Sequence, residues 1–126
     1  MGLTLFATGF PKDMNTSYGA FTYMRLRIAE AYSQKHGELY GVFCRNAWGL
    51  PQDFWGEWEQ GNNEALDILL WHSDCDGKLT YQECGKIYNA LKSLHVEDED
   101  TEGSFYNDFV EMLKHCRKRR VNMYFS

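Results

Sequence analysis

One short segment in the middle of the chain constrains the fold more than any other. Residues 71–91 read WHSDCDGKLTYQECGKIYNAL. Asp76-Gly77 is a common turn pair, because both residue types tolerate the backbone angles of tight turns. Thr80 followed three residues later by Glu83 is a capping box, in which each side chain satisfies an amide at a helix start. The segment therefore predicts a tight turn followed directly by a helix.

Apolar residues recur at helical spacing on both sides of this turn. Residues 63–71 form the predicted entering helix, and the exiting helix begins after Thr80. We expect a helix–loop–helix unit over residues 62–94. Its inward-facing residues would be Ala65, Ile68, Leu69 and Trp71 before the loop, and Ile87, Leu91 and Leu94 after it.

The rest of the chain adds two predicted helices, over residues 19–35 and 104–119. Gly37 is the predicted stop of the first helix, and the segment ELYGVF after it is compatible with a strand or a helix. Residues 8–19 contain Gly, Pro, Asp and Asn and predict a loop. The predicted buried residues are Phe21, Met24, Ile28 and Tyr32 on the first helix, and Phe105, Phe109, Met112 and Cys116 on the last. Arg25 and Arg27 are expected to face water.

The two ends of the chain predict a small sheet. Residues 3–7 (LTLFA) and the tail VNMYFS both alternate enough to form short strands, and pairing them would join the termini. Hydrophobic residues make up 44% of the 126-residue chain, enough for one core. We therefore expect a single domain over 1–126 that is mainly α, with a minor two-stranded β element and an EF-hand-like helix–loop–helix at its centre.

Composition excludes several functional classes. The net charge of −5 argues against a nucleic-acid partner, because phosphate binding needs a positive field. No apolar run reaches the roughly 18 residues that a membrane span needs, and the N-terminus lacks the features of a signal peptide. We expect a cytoplasmic protein with no membrane partner, whose four cysteines are free thiols.

The loop also has the spacing of a calcium site. A twelve-residue calcium loop takes oxygen ligands at positions 1, 3, 5, 7, 9 and 12, with Gly at position 6. Counting from Gly77, the candidate metal ligands are Asp74, Asp76, the Lys78 carbonyl, Thr80 and Glu83. This spacing resembles an EF-hand, a resemblance that covers roughly residues 62–94 and implies calcium as a possible ligand.

Position 1 of this loop departs from the calcium pattern. It is His72, and calcium takes oxygen rather than imidazole nitrogen. The capping box explains Thr80 and Glu83 without any metal, so a capped turn is the alternative interpretation. A softer metal such as zinc is a third one, using His72, Cys75 and Cys84. Its fourth ligand would be Asp74, Asp76 or His95.

The motif HSDCDG also supports a family resemblance. The chain resembles a group of small uncharacterised phage and bacterial proteins that share this motif, the start MGL, a stretch similar to SYGAFTYMRLRIA and a tail like VNMYF. The resemblance implies that His72 belongs to the pattern rather than replacing a lost acid. It carries no established activity and no catalytic residue.

Two further features bear on function. The tryptophans Trp48, Trp55, Trp58 and Trp71 are candidates for a partner surface, since aromatic residues anchor interfaces, and for core packing. A His72–Cys75 nucleophile pair would make an enzyme, but an acidic loop disfavours a thiolate. We therefore expect a non-enzymatic binding protein of phage origin whose partner is another protein. The alternatives are an EF-hand-like calcium binder and, third, an enzyme using His72 and Cys75.

Overall fold

Helices dominate the fold, and four short strands form one sheet. The computed structural model describes residues 2–46, 49–73, 76–96 and 105–126. The helices in these ranges are α1 (Tyr18–Tyr32), α2 (Gln34–Arg45), α3 (Phe54–Glu59), α4 (Glu64–Leu70), α5 (Tyr81–Leu91) and α6 (Phe105–Arg119). The strands are β1 (Gly2–Phe6), β2 (Met14–Ser17), β3 (Lys78–Leu79) and β4 (Met123–Phe125). The prediction of a mainly α protein with a minor sheet is confirmed. Within the described ranges, no helix is long and apolar enough to cross a lipid bilayer.

The sheet joins the two ends of the chain, as predicted, but it has four strands rather than two. Its order is β2-β1-β4-β3, and all neighbours are antiparallel. Leu5 pairs with Phe125 where β1 meets β4. The strand β2 lies in the segment predicted to be a loop, and β3 lies inside the central turn. Both were missed because strands of four and two residues carry too little alternation to stand out from turn residues.

One face of the sheet packs against the helices and forms part of the core. Leu3 and Leu5 of β1 are almost fully buried, and Phe125 of β4 lies with its ring centre 5.8 Å from that of Phe21 in α1. Phe21 in turn contacts Phe109 of α6 at 6.3 Å. Such edge-to-face pairs add to the free energy gained by burying the rings. The first helix, the last helix and the terminal strand are therefore held in one core.

The region after α1 differs from the prediction. The helix ends at Tyr32, and Ser33 begins α2 by accepting a hydrogen bond from the His36 amide at 2.9 Å. Gly37, predicted to stop the first helix, lies inside α2. A Cβ atom there would come within 2.8 Å of the Glu30 Cα atom. Gly37 is therefore required for the close approach of α1 and α2, and not for ending a helix.

The prediction that Arg25 faces water is wrong. Its side chain is only 6% exposed, on the buried face of α1. Phe21, Met24, Arg25 and Ile28 follow the i, i+3, i+4, i+7 spacing of a buried helical face. The sequence already showed this spacing, which indicates burial. The prediction instead followed the charge of Arg25, which is typical of an exposed residue.

Candidate functional site

The central loop lies between α4 and α5, as the sequence predicted, and the predicted capping box begins the second of these helices. Asn63 caps the start of α4 by accepting a hydrogen bond from the Leu66 amide at 3.1 Å. The capping box at α5 is complete. Thr80 Oγ1 accepts from the Glu83 amide at 3.2 Å, and Glu83 Oε1 accepts from the Thr80 amide at 2.9 Å. Glu83 is therefore already used as a structural residue.

The bend of the loop depends on Gly77 and on the C-terminal strand. Gly77 has φ +92°, a backbone conformation that residues other than glycine rarely adopt. Its carbonyl accepts a hydrogen bond from the Phe125 amide at 2.9 Å, and the following residues Lys78 and Leu79 pair with β4. Leu79 is fully buried. The loop is thus attached to the sheet by the last strand of the same chain.

The His72 ring connects the two arms of this loop. Its Nε2 atom lies 2.9 Å from the Lys78 carbonyl oxygen, and its Nδ1 atom lies 2.7 Å from the Ser73 carbonyl oxygen. The ring centre is 4.3 Å from that of Phe125. A Cβ atom on Gly77 would come within 3.5 Å of His72 Cε1. The imidazole therefore bridges the entry and the bend of the loop, and both of its nitrogens face hydrogen-bond acceptors.

This arrangement engages three of the predicted metal ligands. The Lys78 carbonyl is in contact with His72 Nε2, and Thr80 and Glu83 belong to the capping box. Asp76 is exposed, and Asp74 and Cys75 lie outside the described residues. Among the side chains that the structure describes, no three His, Cys, Asp or Glu gather as a metal site would require. Calcium or zinc binding by this loop stays a prediction.

Cys84, a predicted zinc ligand, faces the core. It is fully buried together with Cys116 of α6. A hydrogen bond to Cys116 and burial raise the pKa of the Cys84 thiol. The Cys84 thiol also donates a weak hydrogen bond to the Leu79 carbonyl at 3.9 Å, so it faces the core rather than the loop.

Arg25 connects the loop to a neighbouring groove. Its Nη1 atom donates to the His72 carbonyl at 2.7 Å, and it lies 3.4 Å from the carbonyls of Leu69 and Leu70. The guanidinium carbon lies 4.6 Å from the centre of the Phe21 ring. A cation at the C-terminal end of α4 interacts favourably with the helix dipole. Across the described ranges, no carboxylate forms an ion pair with Arg25.

The groove next to Arg25 has a volume of about 350 Å³ and aromatic walls. We call it the aromatic groove. It lies between α1, α2 and the C-terminal end of α4. Burial raises the pKa of the Cys44 thiol in its wall, and the charges of Arg25 and Arg45 partly oppose this effect. The lining residues are Thr22, Arg25, Tyr40, Phe43, Cys44, Leu70, Trp71, His72 and Ser73.

Trp71 lies at the centre of an aromatic cluster that extends from the groove to the surface. Its ring centre is 4.8 Å from Phe43 and 4.9 Å from both Trp55 and Trp58. Trp58 is buried, whereas Trp55 on α3 is 48% exposed. Trp48 lies outside the described residues. The predicted tryptophan surface therefore divides into one buried residue, one half-buried residue in the groove wall, and one exposed residue.

Two donor groups beside the groove have no acceptor within the part of the chain that is described. They are Arg25 Nε and Trp71 Nε1. Sequence reasoning did not place Tyr40 and Phe43 in a site. Their spacing of three residues on α2 put both on one helical face, but the undecided structure of that segment hid this signal.

Comparison of this chain with protein-family models, with curated proteins and with solved structures gives no match. The resemblance to small phage and bacterial proteins with an HSDCDG motif therefore stays a prediction.

Proposed function

We propose that this chain is a non-enzymatic binding protein that recognises a partner protein through the aromatic groove and Trp55. The observation that carries the proposal is a groove of about 350 Å³ walled by Tyr40, Phe43 and Trp71, with the Arg25 guanidinium buried at its side. Binding sites are commonly concave and aromatic, with a few polar groups that orient the bound molecule.

Trp55 extends this surface beyond the groove. Its indole is 48% exposed and contacts Trp71, which forms part of the groove wall. Tryptophan is enriched among the residues that dominate binding energy in protein interfaces. An apolar side chain of a partner would enter the groove, and the exposed face of Trp55 would cover the adjoining segment.

Charge indicates the kind of segment that fits. Asp53 and Glu57 are exposed beside Trp55 on and next to α3, and the chain carries a net charge of −5. Complementary charge speeds association and aligns the partners. We therefore propose a partner segment with one apolar anchor flanked by Lys or Arg. The cytoplasmic location and the phage origin expected from the sequence are retained as part of this proposal.

The geometry of His72 favours binding over catalysis. A general base needs a ring nitrogen that is available to the substrate. Both nitrogens of His72 lie within 2.9 Å of backbone carbonyl oxygens. An enzyme using His72 and Cys75 would first have to release the ring from these contacts, so this alternative is the weaker one.

Calcium binding is the second candidate function. Gly77 at φ +92° and the buried Leu79 fit the bend of an EF-hand-like loop between α4 and α5. Against it, ligation by Lys78 and Glu83 would compete with the His72 contact and the capping box. Without an acid at position 1, few carboxylates remain, which lowers the affinity for calcium.

Selection from a displayed library of random peptides tests the binding proposal. The selected peptide would be titrated by calorimetry into the wild-type chain and into the variants Trp55→Ser and Phe43→Ala. We expect a basic peptide with one apolar anchor, and a loss of affinity of at least about tenfold in each variant, as for residues that dominate an interface.

Tyr124→Thr is the matched control, because Tyr124 is also an exposed aromatic residue, 38% exposed, but lies on the sheet. It should leave the affinity unchanged. The proposal is wrong if no peptide is enriched, or if the enriched peptides bind Trp55→Ser and Phe43→Ala as tightly as the wild-type chain.

A further inference from the structure

The wall of the aromatic groove contains a buried cation whose hydrogen bonding is incomplete. Arg25 lines the groove and is only 6% exposed. Its hydrogen bonds to the described residues all come from Nη1, which donates to the carbonyls of Leu69, Leu70 and His72. Its Nε atom is buried and has no acceptor among those residues. The edge of the guanidinium formed by Nε and Nη2 is therefore left for another acceptor.

The charge of Arg25 is also incompletely compensated. Burial of a cation without a partner costs free energy, and no carboxylate within the described ranges forms an ion pair with this one. The carbonyls at the end of α4 and the Phe21 ring, 4.6 Å from the guanidinium carbon, offset part of the cost. Burial raises the pKa of the Cys44 thiol in the groove wall, and the charge of Arg25 opposes this rise. The positive charge of Arg25 therefore acts inside the groove.

The groove leads from the surface to this guanidinium. Cys44 and Ser73 are exposed, whereas Arg25, Tyr40 and Leu70 are buried, and all of them line the same concavity. A ligand that enters between the exposed residues would therefore approach Arg25 along the aromatic wall.

We propose that the groove binds an apolar residue that carries a free carboxylate, and that Arg25 binds this carboxylate. This assignment rests on the proposed function and specifies the partner segment, because the apolar anchor would be the last residue of the partner chain. A guanidinium binds a carboxylate through two parallel N–H···O hydrogen bonds, which would use the Nε edge of Arg25. Trp71, which also lines the groove, carries a second donor, Nε1, without an acceptor in the described part of the chain.

The size of the groove and the charge beside it restrict the partner further. At about 350 Å³ the groove is at the lower end of the range for ligand pockets, so one side chain and its terminal group would occupy it. Asp53 and Glu57 are exposed beside Trp55 and would attract basic residues. We therefore expect a partner chain that ends in Lys or Arg residues followed by a final Leu, Met, Phe or Trp.

The test compares peptides that differ only in their last group. Acetylated hexapeptides with two lysines before a final Leu, Met, Phe or Trp would each be made as the free acid and as the amide. Calorimetric titration into the full chain should show at least one acid binding at least about tenfold more tightly than its amide. The net charge of −5 favours the amide, so the opposite preference must come from a local cation.

Variants and a spectroscopic signal assign the preference to Arg25. Arg25→Met should bind the acid and the amide equally. Arg45→Gln is the matched control, because Arg45 is exposed and its charge also acts on Cys44, and it should keep the preference for the acid. Since Arg25→Met is also expected to lose stability, the wild-type chain gives a second measurement. The NMR signal of the Arg25 Nε–H group should shift when the acid is added and stay in place with the amide.

The outcomes separate this inference from the proposed function. Equal affinities of the acid and the amide would overturn the carboxylate site and leave the groove as the binding surface. The organic acid 3-phenylpropionate carries the same chemistry without a peptide. If it shifts the Arg25 signal and no peptide binds, the carboxylate site stands, but the chain terminus is overturned as its source. If neither the peptides nor 3-phenylpropionate binds, the proposed function and the carboxylate site are both overturned.

Discussion

The central loop and the aromatic groove both contact Arg25 and share His72 and Ser73, but their remaining polar groups differ in how they are bonded. In the loop, both nitrogens of His72 face carbonyl oxygens, and Thr80 and Glu83 satisfy each other's amides. At the groove, Arg25 Nε and Trp71 Nε1 have no acceptor in the described ranges. Within the described part of the loop, the side chains of His72, Thr80 and Glu83 each contact another group of the loop, whereas these two donors beside the groove do not.

The difference separates a structural role from a binding role. A loop whose polar groups already have partners gains little from a bound cation, because ligation must first break existing hydrogen bonds. A concave aromatic surface that ends in an exposed tryptophan gains by burying that surface against a partner. We propose that the His72 ring closes the loop without a metal and that recognition takes place at the groove.

Arg25 joins the two regions, and its loss should have the largest effect. In Arg25→Met, the carbonyls of Leu69, Leu70 and His72 lose their donor while the buried volume is largely kept. We expect a loss of about 3 kcal/mol in the free energy of unfolding, measured by urea denaturation. Arg25→Lys keeps the charge and should recover part of the lost free energy of unfolding. A loss below about 1 kcal/mol would mean that the carbonyls do not depend on Arg25.

Gly77 tests the bend of the loop. Gly77→Ala places a side chain at φ +92° and should cost about 2 kcal/mol in the free energy of unfolding. Gly56→Ala on α3 is the matched control, since its Cβ atom would meet no other atom within 4 Å. It should raise the free energy of unfolding by about 0.5 kcal/mol. Equal changes in the free energy of unfolding of the two variants would contradict the positive φ angle of Gly77 at the bend.

A substitution at His72 can distinguish the hydrogen bonds of its ring nitrogens from the packing of its ring. His72→Phe keeps a ring against Phe125 but removes both contacts with the Ser73 and Lys78 carbonyls. We expect a loss of about 1.5 kcal/mol in the free energy of unfolding, measured by urea denaturation. The exposed His95, changed to Phe, should have no measurable effect. An unchanged free energy of unfolding in His72→Phe would show that the imidazole nitrogens do not hold the loop closed.

Trp55 should give the smallest change in stability and a large change in binding. Because its indole is 48% exposed but also contacts Phe54 and Trp71, Trp55→Ser should lower the free energy of unfolding by only about 1 kcal/mol. The same variant should weaken binding of the selected peptide at least about tenfold. A substantial loss of stability without a loss of affinity would assign Trp55 to the core and remove the contrast between the two regions.

Local signals explain why the helix–loop–helix was predictable. Asn63, Thr80 and Glu83 are capping residues, and Gly77 marks a bend, so each acts within a few residues of its own position. The pairing of the two chain ends was also predictable, because both segments alternate. These features depend on short-range chemistry that a sequence displays directly.

The missed features depend on contacts between distant parts of the chain. The strand β3 exists because Lys78 and Leu79 meet β4, and nothing in those two residues indicates it. The burial of Arg25 depends on carbonyls more than forty residues away. The role of His72 can be recognised only when the position of the Lys78 carbonyl is known. In the sequence alone, His72 departs from a calcium pattern and is equally a candidate zinc ligand or part of a nucleophile pair.

The most direct test of the central claim is a calcium titration of metal-free, isotopically labelled protein, followed by NMR at the Gly77 amide. That amide lies at the bend, where a Cβ atom on Gly77 would come within 3.5 Å of His72 Cε1, so ligation there must change its environment. We predict no saturable shift up to several millimolar calcium. A saturable shift at sub-millimolar calcium, confined to residues 72–83, would contradict closure by His72 and make the loop a working EF-hand-like site.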